Sequence, residues 1–154
     1  MAALKDKLKS DLTDAMRARD ELRTGTLRMA LTAVTNEEVS GTQARELDDD
    51  EVLKILGREA KKRREASEAF TSAGRPELAE REEAELGVLE TYLPAQLDDA
   101  ALSALVDAAV ADVRAGGQDG PRAIGAVMKI VQPQVAGRAD GSRVAQLVRD
   151  ALGS

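Results

Sequence analysis

Residues 92–97 (YLPAQL) constrain the fold most, because helical patterns flank them while several residues within them cannot be helical. Pro94 has no backbone N–H and pushes Leu93 out of the helical region. The chain of 154 residues is long enough for one domain or two small ones. The sequence therefore predicts an N-terminal domain over residues 1–93 and a smaller C-terminal domain over residues 94–154.

Apolar residues recur at helical spacing on both sides of this break, and no stretch alternates as a strand would. Hydrophobic residues make up 43% of the chain but aromatic residues only 1%, so the core must consist of Leu, Val, Ile, Ala and Met. Such a composition favours helical packing. We predict an all-α protein of about seven helices, with an N-terminal helical domain followed by a small three-helix C-terminal bundle.

Several helix ends can be placed from local signals. Asp48 with Glu51 has the spacing of a capping box, and Pro76 suits the first position of a helix. Pro121 is expected to open the sixth helix, and Pro133 is expected to interrupt it. Three further aspartates are predicted N-caps: Asp20, Asp98 and Asp140.

The chain contains no Cys and no His, which excludes disulfides, thiolate or imidazole metal sites, and Ser-His or Cys-His nucleophiles. It also has no Walker loop and no G-x-G-x-x-G motif, so no cofactor and no metal site are expected. No apolar run reaches the length of a membrane span, and the first residues lack a signal-peptide core. We expect a cytoplasmic monomer that does not bind membranes.

The net charge of −6 argues against strong non-specific binding of nucleic acid by the whole chain. The charge is uneven, however, because residues 121–149 contain five basic side chains and one acidic side chain. The C-terminal end could therefore face a polyanion. The candidate nucleic-acid-binding residues are Arg122, Lys129, Arg138, Ser142 and Arg143.

The turn over residues 137–141 (GRADG) has two interpretations. A helix N-terminus presents free N–H groups that suit a phosphate, and Arg138 or Arg143 could add charge. Alternatively, Asp140 caps the following helix, uses those N–H groups and makes the turn purely structural. The two interpretations are compatible if the arginine faces outward.

Two charged runs in the N-terminal part are expected to be ordinary solvated helix faces. The basic run of residues 61–64 (KKRR) could meet phosphates, but consecutive residues wrap around a helix and glutamates lie beside them. The glutamates of residues 77–90 could suggest a metal, but a di-iron carboxylate bundle also needs histidines.

Several stretches together resemble the GatB/YqeY family, whose small free-standing members are similar to the tail domain of the B subunit of tRNA-dependent amidotransferases. Besides residues 92–97, they are TLRM (26–29), EASEAF (65–70), GRPEL (74–78), EAEL (83–86), IGAVMK (124–129) and GRADG (137–141). The resemblance covers nearly the whole chain in order. One departure is Thr35, where the family usually has a basic residue.

The resemblance implies an all-helical protein whose C-terminal domain is related to a tail that helps to hold tRNA. It suggests a non-catalytic tRNA-binding accessory module. Two alternatives remain open, a protein–protein adaptor in translation and an accessory to a glutamine-dependent carbon–nitrogen ligase. Nothing in the chain resembles the catalytic parts of that ligase, so no activity of the isolated chain is expected.

Overall fold

A computed structural model of the chain describes residues 3–153 and confirms the all-α prediction. Those residues contain seven α-helices, one short 3₁₀ helix and no strand. The α-helices are α1 Ala3–Arg17, α2 Glu21–Glu38, α3 Asp49–Ser72, α4 Pro76–Glu90, α5 Asp99–Ala115, α6 Ile124–Val135 and α7 Gly141–Ala151.

The predicted helix starts are confirmed except that of the sixth helix. Asp48 accepts a hydrogen bond from the Glu51 N–H at 2.8 Å, and Glu51 accepts one from the Asp48 N–H at 2.9 Å, which completes the capping box. Pro76 occupies the first turn of α4. The predicted N-caps each accept a bond from a backbone N–H of their helix; they are Asp20, Asp98 and Asp140.

The prediction that Pro133 interrupts the sixth helix is wrong. Pro133 lies inside α6, which continues to Val135. The proline removes one backbone donor close to the end of the helix, and the Ala136 N–H still bonds to the Gln132 carbonyl at 3.1 Å. Pro121 also differs from expectation, since it belongs to the 3₁₀ helix Gly120–Ala123 that precedes α6.

The chain divides into two compact units, residues 1–94 and residues 95–154. In the N-terminal unit, α1 to α4 enclose an aliphatic core. Its buried residues are Leu8, Leu27, Ala30, Val34, Leu47, Val52, Ile55, Leu56, Ala60 and Leu89. Each helix contributes through the stripe of apolar residues at i, i+3 and i+4 that its sequence predicts.

The C-terminal unit contains α5, the 3₁₀ helix, α6 and α7 around a core dominated by valine. Its buried residues are Leu102, Val106, Ala109, Val110, Val113, Ala123, Val127, Val131, Val135, Val144, Val148 and Leu152. Two contacts fix the helix directions: Arg143 lies 3.7 Å from Asp99, and an Arg114 guanidinium N–H donates to the Ala151 carbonyl at 3.3 Å. Thus α5 and α7 run parallel, and α6 runs opposite to both.

Candidate nucleic-acid interface

The turn of residues 137–141 is tied to the segment that follows Pro94. The Leu97 N–H donates to the Arg138 carbonyl at 2.9 Å, and the Gln96 side-chain amide donates to the Gly137 carbonyl at 2.8 Å. The Arg138 Nε donates in return to the Ala95 carbonyl at 3.0 Å. Gly137 has a φ of +71°, which an L residue would adopt only with strain. The two most unusual sequence motifs of the chain are therefore parts of one structural element.

Two of the five candidate site residues have structural partners in this turn. Arg138 is half-buried and donates to the Ala95 carbonyl through Nε and to the Gln134 carbonyl through a terminal nitrogen at 3.4 Å. The Ser142 hydroxyl donates to the Asp140 carboxylate at 3.1 Å, which also accepts from the Ser142 N–H. The geometry favours the capped turn, because Asp140 accepts from a backbone N–H of the first turn of α7 and brings a negative charge to that end of the helix.

The other three candidates are exposed but lie apart along the unit. Arg143 is in the first turn of α7, where its side chain is 50% exposed and only 3.7 Å from Asp99. Lys129 is on the middle of α6, and Arg122 is on the 3₁₀ helix at its start. Since α6 has 12 residues, Arg122 is separated from the Arg143 end by roughly 18 Å along the helix axis. The structure does not gather the candidates into one pocket.

Charge in the C-terminal unit is sorted by helix. Residues 95–154 contain six basic and seven acidic side chains, so the unit as a whole is not basic. Four of the seven acids belong to α5 or its N-cap: Asp98, Asp99, Asp107 and Asp112. Five of the six basic residues lie from the 3₁₀ helix onward, on α6, α7 and their turn. The local excess of basic residues therefore belongs to the segment from the 3₁₀ helix to the end of α7.

The basic run of residues 61–64 in the N-terminal unit is only partly a solvated face. Lys62 pairs within α3, with Glu59 at 3.1 Å, as expected. Arg63, by contrast, is buried with only 9% of its surface exposed, bonds to Glu59 at 2.8 Å and approaches Glu85 of α4 at 3.4 Å. Arg64 lies 3.8 Å from Glu90. Two of the four cations thus stabilise the packing of α3 against α4.

Some glutamates of α4 likewise contact side chains of α3. Glu83 accepts a hydrogen bond from Ser67 of α3 at 3.0 Å, and Glu85 lies between Arg63 and Arg81. Near the start of the helix, Glu77 pairs with Arg75 at 2.8 Å. No group of three or more potential metal ligands occurs within residues 3–153. The solvated-face interpretation is right for part of this face and misses the contacts to α3.

Two further polar contacts of the N-terminal unit were not predicted. The Tyr92 hydroxyl donates to Asp11 at 2.6 Å, and burial together with this bond raises the pKa of Tyr92 above its usual range. The Lys5 ammonium bonds to Glu38 at 2.7 Å, and this bond lowers the pKa of the Glu38 carboxyl. Glu38 also accepts from the Leu47 N–H at 3.3 Å. These groups connect α1 to α2 and to the segments that follow α2 and α4.

No helix that the structure describes is sufficiently long and apolar to span a bilayer. That finding is limited to residues 3–153.

Comparison with known proteins gives relatives in fungi. The chain is 35% identical over 86 residues to the "Altered inheritance of mitochondria protein 41, mitochondrial" of Lachancea thermotolerans, covering 56% of this chain and 46% of that protein. The protein of the same name from Pyrenophora tritici-repentis is 28% identical over 152 residues, 96% of this chain and 80% of that one. An uncharacterized protein of Schizosaccharomyces pombe is 32% identical over 88 residues, 56% of this chain and 69% of that one.

In the first of these relatives the chain spans about half of the protein's length. Their names also correct one expectation. A cytoplasmic location was predicted, but the named relatives are mitochondrial proteins, so that prediction is wrong. The prediction relied on the lack of a secretory signal-peptide core, which differs from a mitochondrial transit peptide and so does not distinguish the cytoplasm from mitochondria. The family itself is clear: a match to the Yqey-like protein family extends over residues 5–152, and the chain belongs to that family.

Proposed function

We propose that the C-terminal unit binds RNA, and tRNA in the first place, as a non-catalytic accessory module. The observation that carries the proposal is the set of exposed basic residues on the 3₁₀ helix, α6 and α7, namely Arg122, Lys129 and Arg143. The resemblance of this part of the chain to the tail of tRNA-dependent amidotransferases supports the same ligand. Since phosphates recur along an RNA backbone, cations that lie far apart on one unit can contact different phosphates.

The proposed contacts are Arg122, Lys129 and Arg143, whose side chains are exposed. Arg138 and Ser142 have a different task in this proposal, since they hold the turn from which α7 starts. Three cations are few, so binding should be weak and strongly salt-dependent. Such a module adds affinity and orientation to a larger assembly and does not select a sequence by itself.

The adaptor alternative loses support from the structure of the N-terminal unit. An adaptor would need a free acidic face on α4 as its docking surface, but Glu83, Glu85 and Glu90 contact side chains of α3. The ligase-accessory alternative adds a partner enzyme to the same RNA contact and needs no different surface on this chain.

A gel-shift titration of the full chain with tRNA at low salt tests the proposal. The double variant Lys129→Ala/Arg143→Ala should weaken binding roughly tenfold or more, because two phosphate contacts are lost. The matched control Arg75→Ala removes one positive charge from an exposed ion pair in the N-terminal unit and should leave affinity unchanged. Absence of binding at low salt, or equal losses in the control, would refute RNA binding by α6 and α7.

A further inference from the structure

A shallow groove with a volume of about 290 Å³ runs between α2 and α3 in the N-terminal unit. It is lined by Arg28, Met29, Thr32, Ala33, Asn36 and Glu59. The volume is near the lower end of the range of small-molecule sites, ~300–1,000 Å³. The groove therefore has room for one small ligand and not for a nucleic-acid duplex.

One wall of the groove is a row of hydrogen-bond donors. Arg28, Thr32 and Asn36 are spaced at i, i+4 and i+8 on α2, so they follow one another along about 12 Å of the helix. Within residues 3–153, the Thr32 and Asn36 side chains have no hydrogen-bond partner. Arg28 has one polar contact there, the Met16 thioether at 3.8 Å, and a thioether is a weak acceptor. These donors are available to a ligand that offers stronger acceptors.

The floor and the opposite wall have a different chemistry. Met29, which is 40% exposed, and Ala33 form an apolar floor. Across the groove, Glu59 already accepts hydrogen bonds from Lys62 and Arg63, which compensate its charge. A carboxylate has about four acceptor positions, so Glu59 can still accept from a ligand hydroxyl.

We propose that this groove binds a single nucleoside monophosphate. The phosphate pairs with the Arg28 guanidinium, whose fork of donors matches phosphate oxygens. The ribose hydroxyls donate to the Glu59 carboxylate, as they do to acidic residues in other nucleotide sites. The base lies on the Met29–Ala33 floor, where the Asn36 amide can bond to its edge. This site is separate from the RNA contacts proposed for the C-terminal unit and does not depend on them.

The presence of both a cationic donor and a carboxylate acceptor in the groove supports a nucleotide over a simple anion. An anion alone would use Arg28 and would gain nothing from Glu59, whereas a ligand with hydroxyl donors uses both. The same chemistry is found in a free mononucleotide and in an unpaired nucleotide of an RNA strand, and the two sources can be separated experimentally.

The test is a titration of the full, isotope-labelled chain with adenosine monophosphate, followed by NMR. Saturable shifts are expected at the amides of residues 28–36 and at Glu59. Adenosine without phosphate and inorganic phosphate without nucleoside should each bind at least tenfold more weakly. A three-nucleotide single-stranded RNA that binds at the same amides more tightly than the monophosphate identifies RNA as the source, and weaker binding identifies the free nucleotide; either result supports a nucleotide site.

Variants make the test specific. Arg28→Gln should weaken binding of the monophosphate at least tenfold, while Arg58→Gln, an exposed arginine of α3 outside the groove, should change it less than twofold. Ala33→Glu places a negative charge on the floor and should abolish binding without loss of helix signal. The proposal is overturned if no saturable shifts occur, if Arg28→Gln binds as the native chain does, or if inorganic phosphate binds as tightly as the nucleotide.

Discussion

The two units differ in what they bury. All four buried polar or charged residues found among residues 3–153 belong to the N-terminal unit: Thr26, Glu38, Arg63 and Ser67. The C-terminal unit instead encloses eight buried valines and has its charges on the surface. In the N-terminal unit buried charged groups join helices, and in the C-terminal unit the charged side chains lie on the surface. A cluster of charged residues in the sequence therefore does not predict a charged surface in the N-terminal unit as directly as it does in the C-terminal unit.

This difference bears directly on function. The densest basic run, residues 61–64, looks more suited to a polyanion than the scattered basic residues of α6 and α7. In the structure, Arg63 and Arg64 of that run face glutamates of α4, whereas Arg122, Lys129 and Arg143 are exposed, as are the two lysines of the run. The comparison can be tested by removing charge or core volume from each unit separately and following amide hydrogen exchange in both.

The largest effect is expected from Arg63→Met. Removing the Arg63 guanidinium leaves the partly buried Glu59 and Glu85 without their shared cation. Removing one partner of a buried ion pair costs several kcal/mol. Because the carboxylates keep Lys62 and Arg81 nearby, we expect the free energy of unfolding of the N-terminal unit to fall by about 3 kcal/mol. Hydrogen exchange should accelerate in α2 to α4.

The matched control is Lys62→Met, since Lys62 pairs with the same Glu59 but its side chain is 67% exposed. It should change stability by less than about 0.5 kcal/mol. If both variants have the same small effect, Arg63 does not stabilise the packing of α3 against α4. The proposed difference between the two units is then contradicted. Adding Glu85→Gln to Arg63→Met should recover part of the loss.

Next in size is Val131→Ala in the C-terminal unit. Val131 is fully buried, and deleting its two methyl groups should lower stability by about 2 kcal/mol. A unit of about 60 residues has a small core, so such a loss is a large part of its stability. Exchange should accelerate in α5 to α7. Equal acceleration in α1 to α4 would show that the units do not have separate cores.

A smaller effect is expected from Arg138→Ala. The variant loses the bond from Nε to the Ala95 carbonyl, worth about 1 kcal/mol, and loosens the segment before α5. Arg143→Ala, whose pair with Asp99 is long and exposed, should cost less than about 0.5 kcal/mol. Thermal unfolding of both variants measures the difference, and a greater loss in Arg143→Ala would contradict the structural assignment of Arg138.

The smallest effect on stability is expected from protonation of Glu38 at acidic pH. The Lys5 bond lowers the pKa of Glu38 below its ordinary value of 4.5, so the unfolded chain takes up the proton more readily than the folded one. The stability that this pair contributes is complete above pH 4.5 and is lost as the pH falls through the lower folded pKa. The protection factor of the Leu47 amide against hydrogen exchange should fall below pH 4.5 in the native chain and show no such step in Glu38→Gln.

Helix positions could be predicted well because their causes are local. The capping box of Asp48 and Glu51 and the apolar spacing of each helix are contained within a few residues. Pro133 was misjudged because the cost of a proline depends on how much helix follows it. To predict the effect of Pro133, one must know where the helix ends, and tertiary packing determines that position.

The candidate site could be predicted only in part. The exposure of Arg143 fits its place at the edge of the apolar stripe of α7, but the bond of Arg138 to Ala95 joins residues 43 positions apart and leaves no local signal. The sequence does contain a signal for the internal charges. Glu38 follows Val34 at i+4, and Arg63 follows Ala60 at i+3, so both lie on apolar helix faces. A charged residue in such a position predicts a buried partner.

Arg63 and Arg64 pair with glutamates within the N-terminal unit, whereas the basic side chains of α6 and α7 are exposed. We therefore expect RNA to contact α6 and α7 and not the basic run of residues 61–64. The most direct test is the salt dependence of tRNA binding by the full chain. With three phosphate contacts, the slope of log affinity against log salt should be roughly −3, and Lys129→Ala should reduce its magnitude by about 0.9. Arg64→Ala, from the denser basic run, should leave the slope unchanged. A slope that responds to Arg64→Ala and not to Lys129→Ala would contradict the account.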